Sequence, residues 1–203
     1  DINKLDWDRE ILDLFSVPRS LLPNPRGNIG PYGEVKRLQH LKGVPIGAAF
    51  GDQQSALFGQ GCFTRGEAKN TYGTGSFLLV NIGDSPVVTD NLLTSVGYSI
   101  EGEINYALEG SVYSTGSTIQ WLRDQLGLIE NARQSESIAL ELEGNQGVYL
   151  VPAFSGLGAP HWDSNARGTI IGLTRGSEKK HLVRAGLESI AYQIEDVIKE
   201  VQS

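Results

Sequence analysis

The sequence has few of the features that mark secreted, membrane-bound or nucleic-acid-binding proteins. One cysteine, Cys62, and no methionine occur among its 203 residues, which excludes an internal disulfide and favours a reducing compartment. No apolar run approaches the roughly 20 residues that a membrane helix needs, and there is no basic-then-apolar signal peptide. Acidic residues outnumber basic ones by 24 to 17 without a dense block of Lys or Arg, for a net charge of −7. These absences predict a cytoplasmic protein with no membrane and no nucleic-acid partner.

Three common motifs of catalysis and nucleotide binding are also missing. The chain contains no GxxxxGK[ST] phosphate loop, no GxGxxG dinucleotide motif and no GxSxG nucleophile elbow. Its three histidines, His40, His161 and His181, are too scattered to indicate a metal cluster. Each of them is more typical of a surface or packing residue.

Glycine, by contrast, is abundant, at 25 positions that cluster in short turns between apolar runs. In the first part of the chain a helix is expected with Asp6 as its cap and Pro18 as its end. Its inner face would carry four apolar residues: Trp7, Ile11, Leu14 and Phe15. The apolar run VPIGAAF, residues 44–50, then predicts a buried strand, and residues 53–60 predict a short helix.

From residue 66 onward, short β-prone segments separated by glycine predict strands, in part as an antiparallel meander. A helix is expected after Ser114 and Thr115, ending at Gly127, with a buried side of Ile119, Leu122 and Leu126. A weaker helix is expected within residues 129–143, and short strands at GVYLVPAF and TIIGL. The clearest helix runs from about residue 177 to the end. Its apolar residues recur at intervals of three and four: Leu187, Ile190, Ala191, Ile194, Val197, Ile198 and Val201. This mixture of helices and strands is typical of an α/β or α+β fold.

The segment GDQQSALFGQG contains the first candidate functional residue. Asp52 directly follows an apolar run and directly precedes a predicted helix. Its carboxylate would suit the cap of that helix. The end of a buried strand is also where α/β folds open their ligand crevice, so Asp52 would equally suit a ligand-binding or proton-accepting role.

Two further segments have the composition of ligand-binding turns. In NTYGTGSF, Gly73 and Gly75 flank Thr74, and such a turn exposes backbone N–H groups and a hydroxyl to phosphate oxygens, although an ordinary hairpin has the same sequence. In EGSVYSTGSTIQ, hydroxyls and Gly116 lie at a predicted helix start, with Gln120 one turn further on the same side. A plain cap by Ser114 or Thr115 is the alternative there.

Taken together, five long segments resemble the FGGY family of carbohydrate kinases and, within it, the glycerol branch. They are GDQQSALFGQGCF, AKNTYGTGSFLL, NYALEGSVYSTGSTIQWLRDQLGLI, VYLVPAFSGLGAPHWDSNARGTIIGLTRG and HLVRAGLESIAYQIEDVI. They occur in the family's order and at near-family spacing, and they cover almost all of residues 44–198. The motifs GDQQ, AKNTYGTG and YALEGSV point to the glycerol branch.

The resemblance implies an actin-like ATPase, ribonuclease-H-like α/β fold with a mixed sheet and flanking helices. Residues 1–60 would form the end of the first kinase domain and residues 61–203 the first part of the second. The implied activity is ATP-dependent phosphorylation of glycerol to glycerol 3-phosphate, with ATP and Mg²⁺ as cofactors. A homo-oligomer is compatible with the sequence.

The resemblance also implies roles for six residues. Asp52 matches the catalytic base, and Gln53 and Phe77 match residues that hold glycerol together with Asp52. Thr74 matches the threonine at the ATP phosphates, and Gly116 and Gln120 match residues on the nucleotide side. No metal ligand is implied by the matching positions.

Other parts of the family pattern are missing from the chain, including the first phosphate loop, the Arg-Glu pair of the acceptor pocket and the Gly-Gly segment at adenosine. The chain is therefore expected to be a piece of a longer enzyme and to lack turnover by itself. Two alternatives stay open. One is a kinase for another polyol or sugar of the same family, and the other is a non-catalytic nucleotide-binding module.

Overall fold

Four strands form the larger of two sheets in the structure, a computed structural model that describes residues 1–203. The helices and strands are, in chain order, α1 (Arg9–Leu14), α2 (Asp52–Gly59), β1 (Ala68–Tyr72), β2 (Ser76–Gly83), β3 (Leu93–Ile100), β4 (Glu103–Val112), α3 (Gly116–Asp124), α4 (Gln134–Ala139), β5 (Tyr149–Val151), β6 (Thr169–Ile171) and α5 (Lys179–Gln202). Two single turns of 3₁₀ helix, Arg19–Leu21 and Gln39–Leu41, lie between α1 and α2. The predicted mixture of strands and helices is confirmed.

The larger sheet is built from two hairpins and has the strand order β1-β2-β4-β3. β1 and β2 are joined by the three residues Gly73, Thr74 and Gly75. β3 and β4 are joined by Glu101 and Gly102, whose φ values of 54° and 90° suit the type I′ turn of a two-residue hairpin. The expected meander is therefore confirmed only within each hairpin, because β2 neighbours β4 and not β3.

The chain divides into two compact units. The first contains Asp1–Lys69, Leu79–Val88 and Thr94–Leu108, and the second contains Asn70–Leu78, Thr89–Leu93 and Glu109–Ser203. β2 and β4 each contribute residues to both units. The expected domain boundary near residue 60 stays a prediction.

The core of the first unit holds α2 in place. Leu57, in the middle of α2, is fully buried and clusters with Cys62, Leu79 and Ala107. The next residue, Phe58, contacts three aromatic rings, those of Phe50, Phe63 and Tyr98, at centroid distances of 5.4, 5.0 and 5.4 Å. Buried aliphatic and aromatic contacts of this kind supply most of the stability of a short helix. They fix the position from which Asp52 begins α2.

The single thiol belongs to this core, and its burial predicts low reactivity. Burial raises the pKa of the Cys62 thiol, and the negative charge of Glu67 raises it further, against an opposing effect of Lys69. Because the thiolate is the reactive form, we expect iodoacetamide to label Cys62 at least about tenfold more slowly in the native full-length protein than in denaturant. Peptide mapping by mass spectrometry measures both rates. Equal rates would show that Cys62 is accessible in the folded protein.

The second unit is organised around α5, which packs against α3, α4 and β5. Its buried face carries small residues where it meets α3: a Cβ added to Gly186 would lie 2.6 Å from Cδ1 of Leu122. β5 pairs antiparallel with β6, with Leu150 opposite Ile170. Of the seven residues in the predicted apolar stripe, only Ile194 and Val197 are buried. The helix that this stripe predicts is confirmed as α5, and the residues that it buries against α3 include the small Gly186.

The cap and the buried face predicted for the first helix are both wrong. Asp8, and not Asp6, caps α1, since its carboxylate accepts the N–H of Ile11 at 3.1 Å, whereas Asp6 accepts the N–H of Trp7 and a hydrogen bond from Arg19. The apolar face of α1 is also not buried: Leu14 is 78% exposed.

The buried strand predicted at residues 44–50 is also wrong. It forms only isolated antiparallel bridges, Ile29 with Ala48 and Glu34 with Pro45, and Val44 and Ile46 are exposed. Pro45 has no N–H to donate, and the segment that it faces is rich in proline and glycine, so no regular ladder forms.

Candidate functional site

Asp52 is the first residue of α2, and its carboxylate is exposed. The cap position belongs to Gly51, which has no side chain to offer. The carboxylate of Asp52 accepts the backbone N–H of its neighbour Gln53 at 2.8 Å, and it bonds no amide further along the first turn. The capping interpretation is therefore not supported. A negative charge at this end of a helix is still favourable, because the helix dipole is positive there.

Gln53 has a charged partner that the sequence analysis missed. The side chain of Lys69, in β1, is buried and donates a hydrogen bond from Nζ to Oε1 of Gln53. Strand alternation places Lys69 and Thr71 on one face of β1 and Ala68 and Asn70 on the other. Nothing in the sequence indicates which of these faces is buried, so no signal pointed to Lys69.

The turn around Thr74 and the start of α3 form one arrangement in the second unit, although some forty residues separate them in the chain. The N–H groups of Thr115 and Ser117 both donate to the Thr74 carbonyl at 3.0 Å, and the N–H of Gly116 donates to the Gly73 carbonyl at 3.0 Å. The two segments that the sequence singled out separately are thus held together by their backbones.

The glycines of this arrangement are required by close backbone approach. A Cβ on Gly116 would lie 2.4 Å from the carbonyl oxygen of Gly73, and a Cβ on Gly75 would lie 2.4 Å from that of Val112. Both distances are far shorter than any real carbon contact, so any other residue would force the segments apart. The sequence predicts glycine where two segments approach closely, and here the group that approaches each glycine is a backbone carbonyl.

The hydrogen bonds of this arrangement alter which groups can hold a phosphate. The first amides of α3 are taken by the turn carbonyls, so the expectation that the start of α3 offers them to an anion is wrong. The N–H groups of Thr74 and Gly75 donate to no backbone carbonyl, and the Thr74 side chain is exposed. Donors for an anion are therefore found in the turn and not in the helix. Thr115 occupies the cap position of α3 but makes no side-chain cap, because its hydroxyl donates to the Gly73 carbonyl at 3.2 Å.

Four buried polar atoms in β1, at the start of β2 and in α3 lack hydrogen-bond partners. They are both amide atoms of Asn70 in β1, the hydroxyl of Ser76 at the start of β2 and the hydroxyl of Ser117 in α3. Buried polar groups without a protein partner normally bond water or a ligand. The donors that are offered to a ligand are those of the turn, the N–H groups of Thr74 and Gly75 and the exposed Thr74 hydroxyl. The residues present therefore fit a bound nucleotide phosphate.

Phe77 and Gln120 lie in the same unit as Thr74. Phe77 is 37% exposed, in a strand whose neighbouring residues Ser76 and Leu78 are buried. Gln120 is exposed on α3, one turn beyond Gly116. Both side chains are exposed, and their assigned contacts stay predictions. Asp52 and Gln53 belong to the first unit, so the six candidates form two groups.

Two of the three histidines, His161 and His181, pair with polar or charged groups of the protein. His181 is buried at the start of α5, where its Nδ1 accepts the backbone N–H of Glu178 at 2.9 Å and its Nε2 lies 3.1 Å from Oε1 of Gln146. His161 lies 3.4 Å from a carboxylate oxygen of Asp196. No three His, Cys, Asp or Glu side chains are grouped as metal ligands. None of the helices combines the length and apolarity that a membrane span requires.

The fold of the chain is similar to that of solved carbohydrate kinases. The chain superposes over 100% of its length on 41% of a crystal structure of Plasmodium falciparum glycerol kinase with ADP, with a TM-score of 0.89 and 41% identity. It also superposes, at 22% identity and a TM-score of 0.84, on a ligand-bound xylulose kinase from Lactobacillus acidophilus, over 99% of this chain and 42% of that one. The fold is that of the actin-like carbohydrate kinases, as the resemblance implied.

The family follows from the sequence comparisons. Residues 68–203 match the model of the C-terminal domain of the FGGY family of carbohydrate kinases. A glycerol kinase of Clostridium botulinum is 52% identical over 203 residues, which is 100% of this chain and 41% of that protein. The chain belongs to the FGGY family of carbohydrate kinases. It spans 41% of the length of the curated relative that it matches.

Proposed function

We propose that the full-length protein carrying this chain transfers the terminal phosphoryl group of ATP to glycerol, giving glycerol 3-phosphate. The observation that carries the proposal is the likeness to glycerol kinase along the whole chain, at more than twice the identity found with the xylulose kinase structure. An exposed carboxylate and a glycine turn with unpaired donors suit the two substrates of such a reaction.

Asp52 is the base of the proposed reaction. Phosphoryl transfer requires mainly the positioning of its reactants and the neutralisation of charge, with a carboxylate that accepts the proton of the attacking hydroxyl. Asp52 begins a helix that is anchored by Leu57 and Phe58, and its carboxylate is not used as a cap. Gln53 and Phe77 contribute the remaining contacts to glycerol that we assign to this chain: an amide for a hydroxyl and a ring for the carbon atoms.

The Thr74 turn, Gly116 and Gln120 form the nucleotide side. ATP supplies the phosphoryl group, and Mg²⁺ with it would neutralise phosphate charge. The Thr74 hydroxyl and the amides of Thr74 and Gly75 are suited to bind phosphate oxygens, and Gly116 allows α3 to pack against the turn. No residue of this chain is assigned as a ligand of Mg²⁺.

The proposal includes a domain division and a cellular setting. Residues 1–60 are the end of the first kinase domain and residues 61–203 the first part of the second, which the family match from residue 68 supports. The missing parts of the acceptor pocket imply that the chain has no turnover by itself. A single buried free thiol supports a reducing, cytoplasmic setting, with glycerol and ATP as partners.

A panel of acceptors tests the substrate. We expect the full-length protein to release ADP with glycerol at a kcat/KM at least about 100-fold above that with pentuloses or gluconate, because sites built for one set of hydroxyl groups reject ligands that leave their polar groups unpaired. A coupled ADP-release assay measures each acceptor under identical conditions. Preference for a pentulose would replace glycerol by a sugar, and ATP binding without any turnover would favour the non-catalytic module.

A further inference from the structure

Lys69 is a charged residue in a buried position, where an unpaired charge destabilises the fold. It is 6% exposed, in β1, and its ammonium group donates to Oε1 of Gln53. An isolated ammonium in such a place would lose its proton or destabilise the fold, so it needs partners that accept hydrogen bonds. Gln53 is one such partner, and Lys69 makes further interactions besides it.

This contact determines which end of the Gln53 amide faces outward. A glutamine amide has an oxygen that accepts and an NH₂ group that donates, and a rotation of 180° exchanges them at little cost in shape. An ammonium group has three donors and no acceptor, so it can pair only with the amide oxygen. With Oε1 held by Lys69, Nε2 is the end of the amide that is left for another partner.

We propose that Lys69 is a positioning residue that fixes the amide of Gln53 so that Nε2 donates to a hydroxyl oxygen of the acceptor substrate. The inference rests on the proposed function, in which Gln53 binds glycerol. It adds a selection rule: the substrate group beside Gln53 must carry an oxygen that accepts a hydrogen bond. A hydrogen, a methyl or an ammonium group at that position leaves the fixed donor unpaired, which lowers the affinity.

The experiment compares kcat/KM for glycerol with that for two deoxy analogues, one lacking the central hydroxyl and one lacking a terminal hydroxyl, using the full-length protein. The wild type is expected to prefer glycerol over both analogues. In Lys69→Met the amide is free to rotate, so the preference over the analogue that lacks the Gln53-bound hydroxyl falls about fivefold to tenfold, mainly through KM. In Lys69→Arg, which also only donates, most of the preference remains. In Lys69→Gln, which donates or accepts, it is intermediate.

Two further variants keep the test decisive. Gln53 is half-buried on the surface of α2, so Gln53→Glu is expected to fold; it keeps an acceptor for Lys69, removes the Nε2 donor and should lose the same preference even if Lys69→Met does not fold. Lys180→Met is the matched control, since Lys180 pairs with Glu178 at 3.4 Å at the start of α5 and with none of the proposed site residues, and it should leave the preference unchanged.

The outcomes separate the two claims. A folded Lys69→Met or Lys69→Gln with the wild-type preference would overturn the positioning role, as would a Gln53→Glu protein that keeps it. A wild-type protein that binds ATP but phosphorylates neither glycerol nor its analogues would overturn the proposed function and the inference with it.

Discussion

Asp52→Asn in the full-length protein is expected to lower the glycerol-dependent turnover by about 10² to 10⁴, the contribution typical of a positioned base. The amide has nearly the size of the carboxylate, and its oxygen can still accept the N–H of Gln53, so the start of α2 should be preserved. What it cannot do is take a proton from the attacking hydroxyl. The affinity for ATP should stay within about twofold, because the nucleotide is assigned to other residues.

Steady-state ADP release and an ATP titration, both on the same preparations, measure the two quantities. Asp84→Asn is the matched control, because Asp84 is an exposed residue directly after β2 in the same unit as Asp52. It should change neither turnover nor ATP affinity. Unchanged turnover in Asp52→Asn would remove Asp52 from the reaction.

Gly116→Ala is expected to weaken both the fold of the second unit and the binding of ATP. The new methyl group would meet the Gly73 carbonyl at 2.4 Å, and a backbone carbonyl in a tight turn cannot move aside as a flexible side chain can. Overpacking of this kind typically costs about 1–3 kcal/mol of stability. Since the same displacement shifts Thr74 and its amides, we expect the affinity for ATP to fall about tenfold or more.

Urea unfolding followed by circular dichroism and calorimetric titration with ATP measure these effects. Gly144→Ala serves as the control, since a Cβ at Gly144 meets nothing within 4 Å and the backbone there does not need a positive φ. It should match the wild type in both measurements. If Gly116→Ala also matched the wild type, the packing of α3 against the Thr74 turn would not be needed for nucleotide binding.

The elements that were predicted correctly are those decided by local sequence. The glycine-flanked Thr74 predicts a hairpin turn, and the GDQQ segment directly after an apolar run predicts the start of a helix, so both are identified without reference to the rest of the chain. The resemblance to known kinases added the roles of these residues, which a single turn or helix start does not specify.

The features that were missed depend on contacts between distant parts of the chain. The burial of Lys69 follows from strand pairing and from its contact with Gln53, sixteen residues away in the sequence. The first amides of α3 donate to carbonyls of the Thr74 turn, some forty residues away in the chain. The sequence of α3 alone does not show that these amides already have acceptors and are not available to an anion. The buried face of α5 packs against α3, α4 and β5, which the spacing of its apolar residues does not show.

The predicted roles of Phe77 and Gln120 stand on the resemblance and on exposure. Both side chains are exposed, and both lie in the same unit as the turn assigned to the nucleotide. The proposed catalytic role of Asp52 rests on the resemblance as well, and the structure adds that its helix is anchored in a core and that its carboxylate does not cap α2.

Quantifying both products of one reaction is the most direct test of the proposed transfer. The full-length protein is incubated with ATP, Mg²⁺ and glycerol, and ADP and glycerol 3-phosphate are measured together by phosphorus NMR. We expect the two products in equal amounts, with neither formed when glycerol is left out. Release of ADP without glycerol 3-phosphate, or no reaction at all from a folded protein that binds ATP, would contradict the assignment of Asp52 and the Thr74 turn to a glycerol-phosphorylating enzyme.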